Sequence, residues 1–174
     1  MIRATMARHI PKDWEAVFAE LDGVNDRAVI LVVGSLIDYA LAEAIKSRLR
    51  EPDSDKAWND LFKESGPLQT WSQKTTVAYF LKIIGPIARA DIDLLRSIRN
   101  EAAHDMNPVT FDAEKIADKV RKLQMGNEHT KQHPLRQQFL VAARMYIANL
   151  ILRAGDSHAE IAQASAALAP YLDR

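Results

Sequence analysis

From Asp26 to Leu49 apolar side chains return every third or fourth position, through Val29, Val32, Val33, Leu36, Ile37, Ala40, Leu41, Ala44, Ile45 and Leu49. At about 3.6 residues per turn this spacing lines one face of a helix, and it predicts a helix over 26–49. The β-branched run VILVV would by itself suit a buried strand. Its unbroken continuation through SLIDYALAEAIKSRL decides for helix.

The same periodicity marks the rest of the chain. A first helix is predicted over 12–21, with Pro11 near its start and Trp14, Val17, Phe18 and Leu21 on one face; Gly23 and Asn25 allow a break. The stretch REPDSDKAWNDLFKESGPLQTW is a connector holding a short helix over 56–63, whose Trp58, Leu61 and Phe62 fold back onto the core. A helix over 71–84 closes at Gly85 and Pro86. Another starts at Ala88 or Asp91 and runs to His104 on an inner stripe of Ile92, Leu95, Ile98 and Ala102, with Asn107 and Pro108 ending it. Phe111, Ile116, Val120 and Leu123 define a short amphipathic helix that Asp112 would cap. After the polar loop GNEHTKQHP comes a long helix over 135–153, then an Ala-rich tail that would form a last helix. No strand pair with a matching turn and no internal repeat is visible, so the expected fold class is all-α: one domain over 1–174, a bundle of about six or seven helices.

Composition narrows the function classes. A chain of 174 residues buries enough surface for a core without staples. Absence of cysteine removes thiolate catalysis, thiolate zinc sites and disulfides. The N-terminus turns acidic at Asp13 and Glu15 without a signal-like apolar run, and AVILVVG falls far short of the about 20 residues of a membrane span, so a cytoplasmic protein without membrane contact is expected. Lys plus Arg and Asp plus Glu are both 23, whereas a protein that holds nucleic acid by its own surface usually carries a basic excess. The cations between Lys115 and Arg136 are diluted by Glu114, Asp118 and Glu128, which suits a solvated face. No glycine-rich phosphate loop and no G-x-S-x-G elbow is present, and no cofactor is expected.

The segment IRNEAAHD holds the most chemistry. Arg96, Asn100 and His104 are four apart and stack along one side of the helix, whereas Arg99 and His104 are five apart and diverge by about 140°. Two readings stay open. In the catalytic one, His104 takes a proton from a ribose 2′-hydroxyl, Arg99 neutralises the phosphorane and Asn100 orients base or phosphate, giving metal-free RNA cleavage. In the structural one, Arg99 pairs with an acid on another helix, Asn100 caps a neighbouring turn, and His104 meets exposed carbonyls at the helix end. Asp38 and Glu43 on the long helix are the acids expected to reach Arg96 or Arg99 across the bundle, since an unpaired buried Arg costs several kcal/mol. Asp105 completes this polar seam. His129 and His133 with Glu128 lack the ordered H-E-x-x-H arrangement of a zinc site, and no metal is expected.

The stretch 26–116 resembles the mannitol operon repressor (MtlR-like) family. The resemblance is carried by Asp26-Arg27-Ala28 before the long helix, an acid in its middle at Asp38 or Glu43, Leu61-Phe62 with Pro67-Leu68 in the connector, and Ile98-Arg99-Asn100 with Ala103-His104-Asp105 and Phe111. Where the family often has an aromatic before Ala-His, this chain has Ala102. The resemblance implies a helical transcriptional regulator, a homodimer acting through protein contacts rather than a standard DNA-reading module. The R-N-x-x-x-H segment is also similar to the signature of HEPN-domain proteins, some of which cleave RNA without metal; Arg99, Asn100 and His104 would then be catalytic. A structural adaptor is the third alternative.

Overall fold

A computed structural model describes residues 14–50, 52, 54–63, 65–125 and 130–154. Among them are seven helices and no strand: α1 (Trp14–Glu20), α2 (Asp26–Lys46), α3 (Asp55–Phe62), α4 (Trp71–Phe80), α5 (Pro86–His104), α6 (Glu114–Arg121) and α7 (Leu135–Ala154). The all-α expectation is met. The start predicted for the first helix at residue 12, His129 and the Ala-rich tail fall outside the described residues.

Helix α2 is the central strut, packed most extensively against α7 and also against α4 and α5, while α5 packs in turn on α6. Ile30, Ile37, Leu41 and Ile45 of α2 meet a core shared with Ile92, Leu95 and Ile98 of α5 and Phe139, Tyr146 and Leu150 of α7. Each such side chain contributes about 1.5–3 kcal/mol when withdrawn from water. Being covered on several faces explains the uniform apolarity of α2. One of its windows reaches a mean hydropathy of 2.0, so by length and composition α2 could cross a membrane, contrary to the expectation of a stretch too short; 61% of that window is buried inside the bundle. Asn25 opens the helix, its side chain accepting from the Ala28 N–H.

Three boundaries differ from the periodic pattern. Helix α4 stops at Phe80 rather than residue 84, because Lys82 adopts φ 57 and the chain closes a Schellman motif: the Lys82 N–H donates to the Tyr79 carbonyl at 3.0 Å and the Ile83 N–H to that of Ala78 at 2.9 Å. Ile83 and Ala78 are both buried, supplying the apolar contact of that motif. Helix α5 begins earlier than expected, at Pro86, whose ring presets the first-turn φ. Asp112 does not cap α6; Ala113 precedes it without a side-chain bond. Phe111 is occupied differently, its ring 5.1 Å from that of Phe139 and its N–H donating to Asp26 Oδ2.

A buried carboxylate fixes the far side of α5. Asp91 is fully buried, and its Oδ2 accepts from the backbone N–H groups of Gln124 (2.9 Å) and Met125 (2.8 Å) and from the Tyr146 hydroxyl (2.8 Å). It ties the chain after α6 to both α5 and α7, and burial together with this carboxylate pushes the Tyr146 phenol far up.

Candidate functional site

The α2 face turned toward α4 and α5 is opened by a missing side chain. A Cβ on Gly34 would lie 2.8 Å from Arg99 Cγ and 3.4 Å from Trp71 Cζ3, so glycine lets both residues approach the α2 backbone. Beside them opens a cleft of about 1260 Å³, walled by Asp38 and Glu43 of α2, Trp58 of α3, Trp71 and Lys74 of α4, and Arg96, Arg99 and Asn100 of α5. Trp71 opens α4 behind a complete capping box, in which Thr70 Oγ1 accepts from the Gln73 N–H and the Gln73 side chain accepts from the Thr70 N–H.

The two acids expected to meet arginines are held by lysines instead. Lys74 Nζ is 2.6 Å from Asp38 Oδ2, with only 6% of the Lys74 side chain exposed, and Lys46 Nζ is 2.6 Å from Glu43 Oε1. Lys46 also lies over the rings of Trp58 (5.8 Å) and Phe62 (5.4 Å). Desolvation of the buried Lys74 ammonium offsets much of the Coulombic gain, so Lys74 and Asp38 orient the α2–α4 contact more than they stabilise it. Among the described residues Arg99 is left without an ion pair; its hydrogen bond there is a long one, Nη1 to Asn100 Oδ1 at 3.4 Å. Arg96 Nε is 3.5 Å from Asp93 Oδ1, beyond an effective hydrogen bond. The Trp71 indole N–H and Asp38 Oδ1 are likewise buried without a hydrogen-bond partner among the described residues. The lining as a whole has five cationic side chains against three carboxylates. Burial first, and the nearby Glu43 second, push the Tyr39 phenol up to about 12.

Of the polar seam, Asp38, Glu43, Arg96, Arg99 and Asn100 share this cleft; His104 and Asp105 are not part of its lining. They stand exposed at the end of α5, where Arg27 makes a joint. The Arg27 guanidinium donates to the carbonyls of Ala102 (3.0 Å), Asp105 (2.8 Å) and Asn107 (2.5 Å), covering one orphan acceptor in the last turn of α5 and two of the chain that follows. Asp105 Oδ1 accepts from the backbone and side-chain amides of Asn107, which hold its carboxyl below the usual range. The preceding Asp26 accepts from Arg136 at 2.8 Å, and Arg136 also donates to the Leu21 and Val24 carbonyls. Asp26 and Arg27 thus pin the start of α2 to α7 and to the end of α5. Further along the basic stretch, Lys119 pairs with Glu101 (2.9 Å) and Arg121 with Asp118 (3.1 Å). Among the described residues no group of His, Asp and Glu is arranged to hold a metal ion.

Lys74 and Trp71 were not singled out from the sequence. Lys74 meets Asp38 across 36 positions and leaves no local signature. The sequence T-W-S-Q carries the capping-box pattern of a helix start, and that start puts Trp71 in the first turn of α4, in the lining of the cleft. In the connector, a Cβ on Gly66 would come within 2.5 Å of the Asp60 and Leu61 carbonyl oxygens, so only glycine permits the turn that brings Phe62 and Leu68 inward. Ala102, in place of the family's frequent aromatic, is wholly buried.

Fold and site together define an all-α bundle protein organised around a polar, aromatic-walled cleft. Residues 16–149 match the Mannitol repressor (MtlR) family, and the chain belongs to that family. No curated protein and no solved structure matches it.

Proposed function

We propose that this protein is a cytoplasmic transcriptional regulator of the mannitol-repressor type that acts through protein contacts, with the cleft between α2 and α5 as its recognition surface. The observation that carries the proposal is Arg99: a cation without an ion pair among the described residues, in an open cleft walled by tryptophans. Trp and Arg in such settings supply most of the energy of protein interfaces. Direct operator reading is disfavoured by the balanced overall charge and by the carboxylates lining the same cleft. Homodimerisation belongs to the same reading: Phe80 and Ile87, 74% and 55% exposed, flank the turn between α4 and α5 and would gain from being covered.

The nuclease alternative needs Arg99 and His104 around one phosphate. Within one subunit His104 is outside the cleft that Arg99 lines, so the imidazole facing Arg99 would have to come from another copy. The adaptor alternative makes Arg99 a stabilising group only.

The test is a reporter driven by a mannitol-operon promoter, with wild type, Arg99→Ala and His104→Ala compared at equal protein level. Repression lost in R99A and kept in H104A is the expected result. Equal repression by all three overturns the proposal, as does RNA cleavage in EDTA that disappears in H104A. A salt-sensitive gel shift of promoter DNA by the purified protein overturns the protein-contact part. Light scattering that reports a strict monomer at tens of micromolar removes the dimer.

A further inference from the structure

We infer that the cleft takes an acidic, aromatic or aliphatic peptide segment of a partner protein, a partner carboxylate closing on the Arg99 guanidinium while apolar side chains lie on Trp58 and Trp71. The inference rests on the protein-contact reading and adds the chemistry of the partner.

Charge complementarity argues for the sign. Asp38 and Glu43 are already committed to Lys74 and Lys46, so the cleft presents a surplus of positive charge that no carboxylate of the described residues neutralises at Arg99. A guanidinium is also the group best suited to bidentate capture of a planar carboxylate. Size argues for a peptide over a small ligand: about 1260 Å³, contributed by four helices, exceeds the volumes of roughly 300–1000 Å³ that enclose single small molecules. A nucleic acid is disfavoured because its regularly spaced phosphates would pass over Asp38, Glu43 and Asp55 in the same walls. A peptide can place its acids at Arg99 and Arg96 and keep apolar residues elsewhere.

Fluorescence anisotropy of a labelled peptide of alternating Glu and Leu tests this with the full chain, against its Gln/Leu counterpart and a single-stranded RNA. The Glu/Leu peptide is expected to bind, with affinity falling as salt rises, and the Gln/Leu peptide and RNA to bind at least about tenfold more weakly, the value of one charge-assisted hydrogen bond. Arg99→Gln is expected to lower affinity by about tenfold or more. Arg121→Gln, which removes an exposed cation of α6 paired with Asp118, is expected to leave it unchanged. Should R99Q fold poorly, Ser35→Glu adds a negative charge to the cleft from an exposed position of α2 and is expected to weaken the peptide in the same way. No binding of the Glu/Leu peptide, equal losses in R99Q and R121Q, or preference for RNA each overturns the inference. If the peptide fails while R99A still relieves repression, only this inference falls; if the peptide binds by way of Arg99 while R99A represses normally, the regulatory reading falls and the binding site stands.

Discussion

Replacing Asp91 tests whether the far side of α5 is held by one buried acceptor. Three donors converge on its Oδ2: two backbone amides that follow α6 and the hydroxyl of Tyr146. In Asp91→Ala all three lose their partner in a site with no exposure. An unsatisfied buried donor costs about 1–3 kcal/mol, and partial relaxation of the loop lets water reach some of them, which puts the total at about 4 kcal/mol. That is a large share of the roughly 5–15 kcal/mol that separates folded from unfolded domains. Asp91→Asn keeps one acceptor at the Oδ2 position but turns an amide toward the Gln124 N–H, which now lies 3.0 Å from Oδ1, and should cost about 2 kcal/mol. Tyr146→Phe should cost about 1 kcal/mol alone and almost nothing once Asp91 is alanine, because the bond it removes is already gone. Urea unfolding followed by circular dichroism measures the wild type, the three single variants and the D91A/Y146F double variant. A D91A midpoint within about 1 kcal/mol of wild type, or fully additive effects of D91A and Y146F, would refute the argument that Asp91 is the shared acceptor.

Lys82→Gly should stabilise the protein by up to about 1 kcal/mol, since Lys82 holds φ 57 at the Schellman position and glycine relieves most of that strain; thermal unfolding should move up by about 2–4 °C, and a downward shift contradicts the assignment. Arg27→Ala should destabilise by about 2 kcal/mol by uncovering three carbonyls at the end of α5, and amide exchange should quicken around Ala102 and Asp105 before it does in α7. Alkaline pH should erode stability. The Tyr146 phenol is raised above its ordinary 10.0 and that of Tyr39 to about 12, so the unfolded chain releases these protons first; the contribution is whole below about pH 10 and fades as pH climbs through the folded-state values. Tyr146→Phe should flatten that loss in denaturation curves taken between pH 9 and 11, and an unchanged slope would count against it.

The amino-acid sequence by itself determined the helices whose periodic stripes are long. The stripe through Val29, Val33, Ile37, Leu41 and Ile45 needs no knowledge of a neighbour, because spacing along one helix decides which side chains share a face. The same holds for α7, which begins at Leu135 as its pattern predicts, and for membership of Arg96 and Asn100 in one polar row. Only the tertiary structure decided which charges meet. Lys74 took Asp38 from 36 positions away, Arg27 reached carbonyls 75 to 80 positions away, and Arg99 was thereby left facing an open cleft. It also decided where α4 ends, because Ile83 gains burial by turning inward at a strained Lys82. Periodicity is a property of neighbours along the chain, whereas the partner of a charged side chain depends on how helices cross and how far a long side chain extends; that information exists only once the helices have packed.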